Sequence, residues 1–182
     1  MSLMRLLGLF ILVSCSSKYD ASKTYKLTIL HTNDHHGRFW ANRDGEWGLA
    51  ARSTLINEIR RDVKMNGGHV LILDAGDVNT GVPQSDMLDA EPDFLGMAKI
   101  GYTAMAVGNH EFDNHLPVIR QQEQWAGFPF LSANIYDTKT GQRLFRPYIV
   151  ENVDGLKVGI LGLTTQDTAI KSKHGQDEGV EF

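Results

Sequence analysis

Val70-Leu71-Ile72-Leu73-Asp74-Ala75-Gly76-Asp77 opens on four aliphatic residues and closes on a carboxylate carried by a glycine turn. A run so short and so apolar reads as a strand over Val70 to Asp74 that is buried on both faces. Burial of that kind belongs to a parallel sheet sandwiched by other layers. The flanking sequence agrees. Upstream, Leu55, Ile56, Ile59 and Val63 recur at helical spacing, so Ala50 to Met65 reads as an amphipathic helix stopped by Asn66-Gly67-Gly68. Before it, Tyr25 to His31 alternates polar and apolar as a first strand, and Asn33 to Gly48 is a loop carrying glycine and tryptophan.

Downstream, Ala75 to Glu91 reads as a long loop. Pro92 to Ile100 reads as a helix with Pro92 in its first turn and Gly101 at its end. Ala104 to Val107 is a third buried strand, His115 to Trp125 a helix, and Phe130 to Asn134 a fourth strand. Two further strands, Tyr148 to Asn152 and Lys157 to Leu163, are joined by the turn Asp154-Gly155. The expected class is α/β with a mostly parallel sheet.

The chain has 182 residues, room for one domain of ordinary size. Hydrophobic residues make up 42% and charged residues 22%, which excludes a disordered chain, a collagen and a multi-span membrane protein. Eighteen basic against 22 acidic residues leave a net charge of -4. That balance argues against a nucleic-acid partner, which needs a basic surface. It suits a site that recruits cations.

The N-terminus reads as an export signal over residues 1–14. Leu6 to Val13 is apolar but far shorter than the ~20 residues that cross a bilayer. Leu12-Val13-Ser14-Cys15 resembles a bacterial lipobox, in which the cysteine becomes a lipidated N-terminus. Cys15 is the only cysteine, so it has no internal disulfide partner. Residues 15–24 are expected to be a tether. The expected location is the periplasm or cell surface, anchored to the outer membrane through a lipid on Cys15.

Chemistry gathers where the first three strands end. They run into Asn33-Asp34-His35-His36-Gly37, Gly76-Asp77-Val78-Asn79 and Gly108-Asn109-His110-Glu111-Phe112-Asp113. In an open α/β sheet, ligands bind beyond the carboxyl ends of the strands, so the three clusters should converge on one crevice. Asp34 and His36 make a good pair for Zn, Mn or Fe if the backbone leaves extended geometry. Asp77 could bridge two cations. Asn109 offers a neutral oxygen, or could merely cap the next helix. His110 and Asp113 share a face if a helical turn starts there, and a carboxylate beside an imidazole sets its tautomer. Glu111 reads as a neighbour of the site or a solvated charge.

These blocks resemble those of the calcineurin-like metallophosphoesterases. Leu30-His31-Thr32-Asn33-Asp34-His35-His36-Gly37, with Gly108-Asn109-His110-Glu111-Phe112-Asp113, is similar to the bacterial 5′-nucleotidase and UDP-sugar hydrolase branch. Ser132-Ala133-Asn134-Ile135 and Gly162-Leu163-Thr164-Thr165 match that branch too. The resemblance implies two divalent ions (Zn, Mn, Co or Mg). Asp34 and His36 would bind one ion, Asp77 both, and Asn109 the second, with His110 and Asp113 as the catalytic dyad. It further implies hydrolysis of phosphate esters of extracellular nucleotides.

The family pattern also has a His after a later strand and a Gly-His-x-His or Gly-His-x-Gln turn, and neither occurs after Thr165; His174 could substitute in principle, but nothing in its surroundings resembles a ligand turn. Its nucleotidase branch adds a C-terminal domain that holds the nucleoside. Residues 25–182 are therefore expected to be the N-terminal portion of the catalytic domain, with an incomplete sheet, an unpaired apolar edge near Lys157 to Leu163, and little or no activity alone. The alternatives are a related phosphodiesterase or sulfur-oxidation hydrolase, and a non-catalytic or remnant surface lipoprotein. Of the other histidines, His31 and His35 flank the site, and His69 reads as structural. His115 reads as surface, and His174 as solvated in a polar tail from Lys171 to Gly179. Trp40 and Trp47 are expected to pack structurally.

Overall fold

The computed structural model describes residues 18–46, 48–174 and 179–182. The expected export signal, Cys15 with its lipobox, Trp47 and residues 175–178 of the polar tail lie outside the described residues.

Four strands form a parallel sheet in the order β1 (Leu27–Thr32), β2 (His69–Asp74), β3 (Ala104–Ala106), β4 (Phe130–Leu131). β1 and β2 pair in register from Leu27 opposite His69 to Thr32 opposite Asp74. Each crossover is helical, as parallel strands require. α1 (Gly48–Met65) joins β1 to β2, and α3 (Glu91–Ile100) follows a one-turn α2 (Pro83–Asp86) on the way to β3. After β3, a single 3-10 turn (His110–Asp113) precedes α4 (Leu116–Ala126) and then β4. The boundaries follow local chemistry. Pro92 stands in the first turn of α3, where its missing N–H costs nothing, and Gly101 caps the end at φ 86°.

One sheet face, through Leu30, Val70, Ile72, Met105 and Phe130, packs with Ile56, Phe94, Met97, Ile100 and Ile119 of the helices into the core. Full burial of a side chain of this kind contributes about 1.5–3 kcal/mol. Strand β2 buries Leu71 and Ile72, in keeping with its apolar run.

The structure departs from the sequence reading in four places. The loop expected from Ala75 to Glu91 contains α2, initiated by Pro83. The strands expected at Tyr148 and Lys157 do not extend the parallel sheet. They form a separate antiparallel hairpin, β6 (Tyr148–Val153) and β7 (Leu156–Leu161). The turn dictates this, because Asp154 at φ 55° and Gly155 at φ 99° form the tight reversal that suits antiparallel strands. β5 (Tyr136–Asp137) pairs with β8 (Val180–Glu181), a contact across 43 to 45 positions of chain that no local pattern announces. Residues 168–171 form a short α5 lying against the 3-10 turn. Of the expected tether, residues 18–24 lie across the hairpin turn. Tyr19 stacks on Tyr25, Lys23 pairs with Asp154, and the Lys18 backbone leaves no room for a Cβ at Gly155.

Candidate metal centre

Backbone hydrogen bonds carry the β1–β2 pairing past the strand ends and lock the first two loops together. Ala75 N donates to Thr32 O, Asp34 N to Gly76 O, His36 N to Asp77 O and Gly37 N to Val78 O, all between 2.9 and 3.0 Å. The chain must twist sharply to do this. Asp34, His36 and Asp77 all adopt left-handed backbone, at φ 52°, 49° and 59°. Each such residue costs on the order of 1–3 kcal/mol, and such strain concentrates at functional sites. The third loop comes equally close. A Cβ on Gly76 would meet the Gly108 Cα at 2.7 Å, and one on Gly108 would overlap the Asp77 carboxylate and reach Glu111 Oε2 at 2.9 Å. Only glycine permits these approaches.

The side chains converge as the strand ends do. His36 Nδ1 lies 2.8 Å from the Thr80 carbonyl, which can only accept, so Nδ1 carries the proton and Nε2 keeps its lone pair. That Nε2 lies 3.6 Å from Asp34 Oδ1. His36, Asp77 and His110 each bring one donor atom within 4.8 Å of the others. His110, expected as a catalytic group, thus stands close to the candidate ligand atoms of His36 and Asp77. Its backbone N–H also donates to Asp77 Oδ1 at 2.9 Å. Asn109 makes no side-chain cap bond, so its amide is not spent on the following turn. The 3-10 turn puts His110 Nδ1 2.8 Å from Asp113 Oδ2, and Asp113 also accepts from Thr80 Oγ1 at 2.6 Å. Thr80 therefore holds both His36 and Asp113. No sequence pattern marked it.

Of the two readings of Glu111, neighbour of the site or solvated charge, the structure shows the first: it is 0% exposed. Its carboxylate accepts from the N–H groups of Gly108, Asp77 and Val78 at 2.7, 3.0 and 2.9 Å, binding the second loop to the third. Burial, joined by the charge of Asp77, pushes its pKa up to about 7 against the pull of those N–H groups. Desolvation lowers the pKa of His110, but the bond to Asp113 and the charges of Asp77, Asp113 and Glu111 outweigh it, leaving a raised value. Desolvation raises that of Asp113, and its bonds from Thr80 and His110 reverse this to a lowered value.

The calcineurin-like phosphoesterase family model matches residues 27–173, which span the sheet, all three loops and the hairpin. The chain belongs to the calcineurin-like phosphoesterase family. It is 60% identical over 170 residues to the 5′-nucleotidase of Vibrio cholerae, covering 92% of this chain and 30% of that protein. It is 62% identical over 151 residues to Protein UshA of Escherichia coli, covering 83% and 28%. The crystal structure of a 5′-nucleotidase precursor from Thermus thermophilus superposes with a TM-score of 0.73 at 36% identity, over 86% of this chain and 31% of that one. The chain thus spans about 30% of the length of the curated relatives it matches.

Calcineurin-like phosphoesterases use divalent metal ions, and the donors here fit one. Among the described residues, an imidazole nitrogen and two carboxylates meet here without a thiol, a nitrogen and oxygen set that suits Zn, Mn or Fe. The two other stretches that resembled the nucleotidase branch tie to each other and to the third loop. Thr164 exchanges hydrogen bonds with Asn134, contacts Ser132 Oγ at 2.9 Å, and donates to the carbonyl of Val107 at 2.6 Å, one residue before Gly108. Elsewhere, His31 and His69 are exposed. His174 is not a solvated tail residue. Its N–H donates to Phe112 O and its ring lies 3.8 Å from that of His115. Trp40 does not pack inside but is 69% exposed, with its ring edge-to-face against Phe39.

Proposed function

We propose that this chain is the N-terminal part of the catalytic domain of a 5′-nucleotidase that hydrolyses phosphate esters of extracellular nucleotides. One observation carries the reading: loops from three parallel strands bring donor atoms of His36, Asp77 and His110 within 4.8 Å of one another, with Asp34 beside His36 and Asp113 bonded to His110. The names of the bacterial relatives, 5′-nucleotidase and Protein UshA, supply the substrate class.

In this reading Asp34 and His36 would hold one divalent ion, Asp77 would be shared with a second, and Asn109 would contribute to that second ion. Zn, Mn, Co and Mg are the metals to test. Such ions neutralise phosphoryl oxygens and activate water for in-line attack on phosphorus. The protein's own part is orientation and proton transfer. Asp113 takes the Nδ1–H of His110, so Nε2 is the atom that faces substrate. A raised pKa keeps that atom protonated toward neutral pH, ready to donate to the leaving oxygen. The 182-residue chain by itself is expected to be weak or inactive, because the resemblance places further ligands outside it. The protein is further proposed to be exported and anchored through a lipid on Cys15. Among the described residues no helix is long and apolar enough to cross a membrane.

The test is phosphate release from AMP and UDP-glucose by the intact gene product purified from its host. Activity should vanish with EDTA, return with Mn²⁺ or Co²⁺, and be absent in Asp77→Asn. Metal-insensitive turnover, or release only from an artificial diester, would overturn the nucleotidase reading.

A further inference from the structure

Residues of the first ligand loop alternate in direction. Asp34 and His36 turn to the crevice, with side chains 57% and 30% exposed. His35 between them turns the other way and is buried. It enters a closed polar cluster drawn from three helices. His35 Nε2 lies 2.8 Å from Asp93 Oδ1, and both side chains are 0% exposed. Asp93, in the first turn of α3, also accepts from Ser85 Oγ of α2 at 2.7 Å. On the other side of the ring, Arg52 of α1 places Nη2 3.0 Å from His35 Nδ1.

Chemistry settles the tautomer. A guanidinium only donates, so Nδ1 must accept and the proton sits on Nε2, directed at Asp93. Ser85 in addition fills the space where any side chain at Gly37 would stand. Residues 35 and 37 are thereby both clamped on the helix side of the loop, and residues 34 and 36 can only face the crevice.

We infer that His35, held between Asp93 and Arg52, is a positioning residue that presents Asp34 and His36 to a divalent ion. The inference rests on the metal reading of the crevice. The helix layer thus reaches the site through a buried imidazole, and the geometry of a first ion is set by contacts 58 and 17 residues away in sequence. Partners of this kind, one step behind the ligands, typically tune metal affinity by about 10–100-fold.

The experiment is a Co²⁺ titration of the purified intact gene product, read by visible absorption and by calorimetry, with unfolding in urea followed in EDTA. His35→Leu alone strands a buried carboxylate and invites misfolding. The informative variants are therefore His35→Gln and the double His35→Leu with Asp93→Leu. Glutamine retains a donor for Asp93 and an acceptor for Arg52, and it should bind Co²⁺ within a few-fold of wild type. The double variant replaces the pair with apolar volume, so its urea midpoint should stay near that of wild type. Its Co²⁺ affinity should nevertheless fall about 10–100-fold, with an altered visible band. Wild-type affinity and spectrum in the double variant would overturn the inference while leaving the metal reading intact. Loss of affinity that merely follows a lowered urea midpoint in both variants would also overturn it. A wild-type chain that takes up no Co²⁺ would overturn the metal reading and the positioning role with it.

Discussion

Glu111 illustrates how much one side chain can hold. Each of its carboxylate partners is a backbone N–H, so the ionised form is the one these bonds stabilise. Burial and the nearby Asp77 oppose that form and raise its pKa from 4.5 to about 7. The native state therefore binds this proton more tightly than the unfolded chain. Stability from this group is complete below pH 4.5 and is lost as pH rises through 7. In EDTA, the unfolding free energy of Glu111→Gln relative to wild type should move in the variant's favour across that window by about 3 kcal/mol. Urea titrations at both ends of the window measure it, and a divalent ion beside Asp77 should shrink the effect. At the proposed proton donor, His110→Ala in the intact protein should lower kcat about 10²–10⁴-fold. Steady-state kinetics on AMP read that loss directly.

At the scale of elements, the site is a product of how closely two turns approach. Gly108→Ala would drive a methyl group into the Asp77 carboxylate. The expected cost is about 1–3 kcal/mol, together with weakened Co²⁺ binding. Gly159, inside β7, is the control, since a Cβ there meets nothing within 4 Å. Gly159→Ala should be neutral or stabilise the hairpin by about 0.5–1 kcal/mol. Thermal unfolding of both variants separates a glycine needed for space from one that is not. The same comparison explains which elements were readable. β2 and α1 announce themselves through local periodicity, and Gly48, Gly67, Gly68 and Gly76 lie at or beside their ends. α2 is one turn long, and β5 and β8 are two residues each, too short for any periodicity to appear.

For the whole molecule, the decisive feature is the uneven cover of the sheet. The helix side is densely packed, while a cavity of about 250 Å³ lies on the other side, lined by Leu73, Ala104, Leu131, Ile160 and Leu161. Around it Tyr148, Val150, Leu161 and Leu163 are each more than half exposed. Apolar surface clustered in this way drives association. The purified chain should therefore self-associate with rising concentration, and Leu161→Lys with Leu163→Lys should return it toward monomer in sedimentation velocity.

The composition and the short blocks of this sequence determine the α/β class, the parallel strands and the three loops that bear Asp34, His36, Asp77, Asn109, His110 and Asp113. They are legible because strand propensity, turn glycines and the chemistry-bearing residues are all neighbours in the chain. The contacts of Thr80, Glu111, Asp93 and Arg52 were decided by the fold. Each acts on a partner 17 to 58 residues distant, and hydrogen bonds across such separations leave no periodic trace. The hairpin's independence from the parallel sheet is of the same kind. Its turn could be read locally, but where its strands lie is set by packing against residues far away in sequence.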